Sequence, residues 1–144
     1  MKFADFKEGD IHELGPVLVD QEESIAFAER YDSQWFHVDP ELARDGQWHG
    51  LIVSGWFTCA LAMRLISREI LADSDCYASP GLTYLKWLHP VRPGDQLRMK
   101  VRVIEARRSS SKDWLGVVRY QWTLRNQEEI EVLDLEAMTL FKLD

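Results

Sequence analysis

The chain has 144 residues, of which 46% are hydrophobic and 28% charged, so it is long and apolar enough to form a core. This composition predicts one globular domain over residues 1–144 and excludes a disordered segment. The formal net charge of −7 argues against a nucleic-acid partner, which would need a basic surface, but a few local cations could still bind a phosphate-bearing ligand.

The N-terminal residues are charged instead of forming an apolar run, so we expect no signal peptide. The longest apolar stretch, residues 56–63, is too short to span a membrane. Cys59 and Cys76 are the only cysteines, and their spacing matches no metal-binding pattern. We therefore expect a cytoplasmic protein with reduced cysteines, no metal site and no membrane association.

The first third of the chain predicts a strand followed by a short helix. Residues 11–19 are strand-like, and Gly15-Pro16 within them is typical of a bulge or an edge strand. Asp20 is a candidate N-cap, and Glu23 three residues later completes a capping-box pattern. An amphipathic helix of about three turns is expected to follow.

A polar-aromatic loop over residues 32–39 separates this helix from the next elements. Asp39 before Pro40 predicts a new helix start, because proline suits the first helical position. Ser54 is the predicted cap of a longer helix. Its first half, residues 56–63, is almost wholly apolar and is expected to be buried all round. Its second half carries polar residues at helical spacing and is expected to emerge toward solvent.

The remainder of the chain is strand-like. Residues 97–103 alternate strictly between apolar and charged residues, which predicts a strand with one wet face. Further strands are expected over residues 82–89, 114–124 and 130–143. The pattern predicts an α+β fold in which an antiparallel sheet of about five strands wraps round a long central helix. Such a sheet has open edges, so we expect a homodimer or a higher homo-oligomer.

Asp32 and His37 are the candidate catalytic pair. A carboxylate and an imidazole can hold one water between them and share its protons. The amide of Gly55, at a helix N-terminus, can stabilise negative charge on a substrate oxygen. Each residue alone also has an ordinary structural explanation, since Asp32 can end a helix or form an Asx-turn and His37 can be a buried structural histidine.

The stretch over residues 31–40 resembles the hydratase motif of the MaoC-like, R-specific enoyl-CoA hydratases, in which an Asp precedes a His by five residues. Leu-Ile-Val-Ser-Gly over residues 51–55 is similar to the start of that family's central helix, and residues 85–95 to the strand and turn that follow. The resemblance implies a hot-dog fold and reversible hydration of trans-2-enoyl-CoA to R-3-hydroxyacyl-CoA. It implies an acyl-CoA thioester partner and no cofactor beyond the coenzyme A of the substrate.

Three further residues are candidates for binding the substrate. Gln34 stands where the family has Asn or Gln, and it either bonds the substrate or stabilises the loop. Ser54 replaces a frequent His and is mainly expected to cap the helix. Trp35 stands where the family often has Pro, as does Ser33, and it is expected to alter the shape of the pocket.

Two other functions stay open. A hot-dog thioesterase usually places a carboxylate early in the central helix, but the first one here is Glu69, about four turns in. A non-catalytic module that binds acyl-CoA or acyl-carrier protein is the other alternative. Coenzyme A phosphates need cations, and the candidates are Arg64, Arg68, Lys86, Arg92, Arg107 and Arg108.

Overall fold

The computed structural model describes all 144 residues. One antiparallel sheet contains β1 (Ile11–Leu18), β2 (Cys76–Trp87), β3 (Gln96–Arg108), β4 (Leu115–Arg125) and β5 (Glu131–Lys142). The strand order is β1-β3-β4-β5-β2, which leaves β1 and β2 at the two edges. The predicted α+β class and the five-stranded antiparallel sheet are confirmed.

Four helices precede the last four strands. They are α1 (Gln21–Tyr31), the one-turn α2 (Trp35–Val38), α3 (Pro40–Arg44) and α4 (Gly55–Leu65), which continues as a π-helical turn over Ile66–Ile70. The sheet curves over α4 in the hot-dog arrangement that the sequence predicts. None of the helices combines the length and the apolarity needed to cross a bilayer.

The helix starts follow the predicted caps with one difference. The Asp20 side chain accepts a hydrogen bond from the Glu23 amide, and the Asp39 side chain accepts from the two amides that follow Pro40. The Glu23 carboxylate does not turn back to complete a capping box. It accepts instead from Arg64 at 2.9 Å, which links α1 to α4.

The core lies between the concave face of the sheet and one face of α4. Phe57, Leu61 and Leu65 of α4 belong to the same buried cluster as the inward side chains of β3, which are Leu97, Met99, Val101 and Val103. The strict alternation in β3 matches the pleat, so every second residue is buried. Removing a large apolar side chain of this kind from water stabilises the fold by about 1.5–3 kcal/mol.

The central helix is not buried all round, contrary to the sequence prediction. Trp56 is 57% exposed and Met63 is 42% exposed, whereas Leu61 is fully buried. The C-terminal part exposes Ser67 and Arg68 to solvent, as predicted, but Ile66 and Ile70 keep its other face buried. The physical reason is that the sheet covers only one side of α4. Its other side lies open beside β2.

Two local predictions are corrected and one is confirmed. The predicted loop over residues 32–39 contains the helical turn α2. Strand β2 begins at Cys76, six residues earlier than expected, because Pro80 is tolerated in an edge strand whose free side needs no donor. The pairing of β1 with β3 shifts register between Leu14 and Val17, which is the predicted bulge at Gly15-Pro16.

Candidate active site

The structure brings Asp32 and His37 together at the start of α4. Asp32 ends α1, and its amide donates to the carbonyl of Ala28 at 2.8 Å. His37 lies on α2, whose single turn carries the imidazole back toward α1. His37 Nε2 lies 3.4 Å from Asp32 Oδ2, and the two side chains are only 7% and 19% exposed.

The orientation of the His37 ring defines its tautomer. Nδ1–H donates to the carbonyl oxygen of Ile52 at 2.8 Å. A neutral imidazole with its hydrogen on Nδ1 has a lone pair on Nε2. This lone pair faces the Asp32 carboxylate, which is also an acceptor. A water that donates one hydrogen to each atom satisfies both.

Two donors hold the Asp32 carboxylate. The Ser54 hydroxyl donates to Oδ2 at 2.7 Å, and the Gln34 amide donates to Oδ1 at 2.8 Å. Burial alone raises the pKa of Asp32, but these two hydrogen bonds and the positive charge that His37 carries when it is protonated outweigh it. The net pKa of Asp32 is below its usual value. Asp32 is therefore a carboxylate at neutral pH.

Ser54 and Gly55 form the start of α4 beside this pair. Ser54 is fully buried, and its hydroxyl oxygen accepts from the Trp56 amide at 3.3 Å while its hydrogen goes to Asp32. Gly55 is the first helical residue, so its amide has no intrahelical acceptor. Trp87 donates from Nε1 to the Gly55 carbonyl at 2.9 Å. A Cβ at position 55 would lie 2.6 Å from that indole, so the site requires glycine.

A cavity of about 450 Å³ opens at this point and contains Asp32, His37 and Gly55 in its wall. The rest of the wall is largely apolar and aromatic: Trp48, Ile52, Val53, Trp56, Thr58, Trp87, Leu88, His89, Pro90 and Val91. An apolar cavity with a few polar groups at one point is typical of a small-molecule site.

Sequence reasoning missed Trp87 and Thr58 as wall residues and found no partner for His89. Thr58 follows Ser54 by four residues, so helical spacing could have placed it on the face that carries the cap. Trp87 and His89 come from the distant end of β2. No local sequence pattern predicts that the end of β2 lies beside the start of α4.

The three predicted substrate-binding residues lie outside the cavity wall. Gln34 and Ser54 each donate a hydrogen bond to the Asp32 carboxylate. Trp35 packs edge-on against Phe36, and its ring covers Gly46. Their direct contact with substrate stays a prediction, while the structure gives Gln34 and Ser54 a contact with the carboxylate.

Two of the six candidate cations are paired with carboxylates of the protein. Arg64 pairs with Glu23, and Arg107 pairs with Glu105. Arg92 is the one tied to the cavity wall, because its guanidinium donates to the carbonyl of Trp48. Among the six, Arg92 is therefore best placed for a ligand at the mouth of the cavity.

Glu69, the first carboxylate of the central helix, is engaged far from the cavity wall. It lies in the π-helical turn, and its Oε1 accepts from the Gly15 amide of β1 at 3.2 Å. The first turns of α4 contain no carboxylate of the kind that the thioesterase alternative needs.

Comparison with known proteins agrees with this architecture. The uncharacterized protein YdeM of Bacillus subtilis is 29% identical over 142 residues, which are 99% of each chain. The crystal structure of the MaoC-like dehydratase from Rhodospirillum rubrum superposes with a TM-score of 0.87 at 31% identity, covering 98% of this chain and 96% of that one.

The 3-hydroxyacyl-thioester dehydratase Z of Mycobacterium tuberculosis is 36% identical over 84 residues. That match covers 57% of this chain and 56% of the mycobacterial protein. The family model described as MaoC like domain matches residues 8–125, a span that includes Asp32, His37, Ser54, Gly55 and Trp87. By this match and by its fold, the chain belongs to the MaoC-like dehydratase family.

Proposed function

We propose that this protein is a hydro-lyase that reversibly hydrates a trans-2-enoyl-CoA to the R-3-hydroxyacyl-CoA. One observation carries the proposal: His37 Nε2 and Asp32 Oδ2 lie 3.4 Å apart as two acceptors in the wall of an apolar cavity. The Gly55 amide lies in the same wall. The R configuration is inferred from the family and not from these distances.

The reaction follows from the two acceptors. A water donates its hydrogens to Asp32 Oδ2 and His37 Nε2, and its oxygen attacks Cβ of the conjugated thioester. The oxygen–carbon bond forms as the Cα–Cβ π bond breaks, and one water proton moves to Nε2, because imidazole is a stronger base than carboxylate. The imidazolium then returns that proton to Cα. Dehydration is the same path reversed.

The Gly55 amide stabilises the charge that forms during this addition. The electrons of the π bond move onto the thioester oxygen and give an enolate. A free amide at a helix N-terminus, aided by the helix dipole, is suited to that oxygen. Donors of this kind contribute roughly 10²–10³-fold to the rate in other enzymes.

The similarity to the mycobacterial dehydratase supports a hydroxyacyl thioester as the substrate class. Coenzyme A enters as part of the substrate, and the reaction needs no other cofactor. We assign its phosphates to the Arg92 side of the cavity, since that guanidinium bonds to the wall residue Trp48 and has no carboxylate partner within the protein. The free thiols of Cys59 and Cys76 suit a reducing, cytoplasmic location.

We also propose a homodimer that forms along β2. This edge strand is exposed along most of its length, including Tyr77, Leu82 and Trp87. The open side of α4 adds Trp56, whose ring meets Trp87 at a centroid distance of 5.1 Å. A second copy that pairs with this edge covers both the strand and the exposed aromatic residues.

The experiment is to follow the absorbance of crotonyl-CoA with and without a thiol reagent. Loss of the conjugated enoyl band without thiol release is the expected result. Thiol release would identify a thioesterase and contradict the proposal. Binding of crotonyl-CoA with neither signal, across a series of acyl chain lengths, would identify the binding module instead.

A further inference from the structure

Thr58 carries a hydroxyl that the protein leaves unpaired. The residue lies in the first turns of α4 and is only 1% exposed, yet it is part of the cavity wall. Its amide donates to the Ser54 carbonyl at 3.1 Å, but its hydroxyl makes no hydrogen bond within the protein. Buried polar groups are almost always paired, so this one needs a partner from outside the chain.

The hydroxyl is open to the cavity and not sealed in the core. The sealed polar side-chain atoms without a partner are His12 Nε2, Trp122 Nε1 and Arg125 Nε, and the Thr58 hydroxyl is not one of them. Since the residue is otherwise buried, the cavity is the space onto which its hydroxyl opens.

Helix geometry places Thr58 relative to the reacting atoms. It follows Gly55 by three residues and Ser54 by four, so all three share one side of α4. It therefore lies about 5 Å deeper along the helix axis than the Gly55 amide. If the thioester oxygen of a substrate binds Gly55, the part of the acyl chain that follows the substrate's Cβ atom passes Thr58.

The surroundings restrict the atom that can pair with this hydroxyl. Thr58 shares the wall with the apolar residues Ile52, Val53 and Val91. The polar side chains of the wall also include His37, His89 and the carboxylate of Asp32, but no Lys or Arg. An uncharged oxygen therefore suits the site better than a second carboxylate.

We propose that Thr58 is a specificity-determining residue that hydrogen-bonds an uncharged oxygen in the acyl chain, beyond Cβ. The substrate class is then a trans-2-enoyl thioester with a hydroxyl, ether or keto oxygen in its distal part. This inference rests on the proposed hydratase function, which supplies the position of the thioester. A plain alkyl chain leaves the Thr58 hydroxyl without a partner, which disfavours it by about 10–100-fold.

The test compares substrates of equal size. These are trans-2-hexenoyl-CoA, trans-4-methoxy-2-butenoyl-CoA and trans-5-hydroxy-2-pentenoyl-CoA, each measured with wild type, Thr58→Val and Thr58→Ser. Valine keeps the shape and removes the hydroxyl, and serine keeps the hydroxyl. Comparing variants on the same substrate cancels any intrinsic difference in reactivity between the three thioesters.

For each variant the selectivity is the kcat/KM for an oxygen-bearing substrate divided by the kcat/KM for hexenoyl-CoA. For at least one oxygen-bearing substrate, we expect this ratio to be about 10–100-fold higher in wild type and in Thr58→Ser than in Thr58→Val. Thr58→Val should hydrate hexenoyl-CoA at least as well as wild type. Equal selectivity in wild type and Thr58→Val for both oxygen-bearing substrates would overturn the inference.

Binding of the saturated analogues separates this inference from the hydratase proposal. The saturated analogues are hexanoyl-CoA, 4-methoxybutanoyl-CoA and 5-hydroxypentanoyl-CoA, none of which can be hydrated. Calorimetry with the same variants therefore measures the Kd of each analogue, and so the preference in binding, without turnover. A preference that Thr58→Val abolishes, without any hydration, would keep the Thr58 contact and reject the hydratase. Hydration without a preference that depends on Thr58 would keep the hydratase and reject the Thr58 contact. No binding of any of these thioesters would reject both proposals.

Discussion

His37 and Asp32 are each held in place by hydrogen bonds to the protein. The Ile52 carbonyl fixes the hydrogen of His37 on Nδ1, and Ser54 and Gln34 fix the Asp32 carboxylate. His37 Nε2 and Asp32 Oδ2 lie 3.4 Å apart, and both residues are part of the wall of one cavity. At the scale of single residues, the account depends on these two acceptors acting on one water.

Asp32→Asn and His37→Ala should each lower kcat for crotonyl-CoA hydration by about 10²–10⁴-fold. Asparagine is similar in size, and both neighbours can adapt to it, because a hydroxyl and an amide can donate or accept. Far-UV circular dichroism should therefore show an intact Asp32→Asn fold. Asp45→Asn, at the exposed end of α3, is the matched control and should leave kcat unchanged. Near-normal turnover by His37→Ala would reject the mechanism.

Gln34→Ala should raise the pKa of Asp32. The Gln34 bond stabilises the ionised carboxylate and so holds the pKa of Asp32 down, against the effect of burial. Without that bond the carboxylate takes up a proton at a higher pH, which the carboxyl-carbon chemical shift of Asp32 follows directly by NMR. Gln47→Ala, in the exposed loop after α3, is the control and should leave the titration of Asp32 in place. An unchanged titration in Gln34→Ala would show that Gln34 does not set the pKa of Asp32.

The motif at the residue scale was readable from the sequence because Asp32 and His37 are close in the chain. The sequence did not show that Gln34 and Ser54 act on Asp32. Ser54 is 22 residues away, and its hydroxyl was explained already by the helix cap. Because the helix cap already accounts for a serine at position 54, the sequence gives no sign of its second contact with Asp32.

At the scale of elements, Ser54 both caps α4 and donates a hydrogen bond to Asp32 in the site. Ser54→Ala and Asp20→Ala each remove a helix cap and should each lower the free energy of unfolding by about 1 kcal/mol. Only Ser54→Ala also removes a donor to Asp32, so only it should lower kcat and raise the pH at which Asp32 takes up a proton. Denaturant unfolding, kcat and the carboxyl-carbon chemical shift of Asp32 in the two variants make the comparison. Equal catalytic effects in both would mean that the activity loss reflects stability alone.

The exposed face of α4 shows where element-level prediction stops. The run over residues 56–63 predicted burial on all sides, since apolar residues surround the helix axis. The sheet of one chain covers only one side, so Trp56 and Met63 remain exposed. Similarly, the strand was predicted to begin at residue 82, but β2 begins at Cys76 because its free edge accommodates Pro80. Both features depend on long-range placement that no local window contains.

At the scale of the whole molecule, the wild-type protein should be a dimer in light scattering at micromolar concentration. Leu82→Glu places a charge on the exposed β2 edge and should shift the mass to that of a monomer. Leu18→Glu is the matched control on the opposite edge, β1, where the leucine is similarly exposed, and it should remain a dimer. A monomeric wild type, or a dimer that only Leu18→Glu disrupts, would place the interface elsewhere or remove it.

The sheet class, the strand count and the central helix followed from the sequence because periodicity and caps are local signals. The cavity did not, since its wall joins α2, α4 and the end of β2, three elements far apart in the chain. Trp87 is the clearest example. Its indole lies over Gly55, 32 residues earlier, and narrows the approach to the helix N-terminus.

The most direct test of one water shared by Asp32 and His37 is the stereochemistry of hydration in D₂O. In the proposed mechanism both acceptors hold one water on one side of the substrate, so oxygen and deuterium should be added to the same face of crotonyl-CoA. The proton coupling between Cα and Cβ of the product distinguishes the two diastereomers by NMR. A single syn product is the result that the shared water predicts. An anti product or a mixture would mean that the proton at Cα comes from a different group.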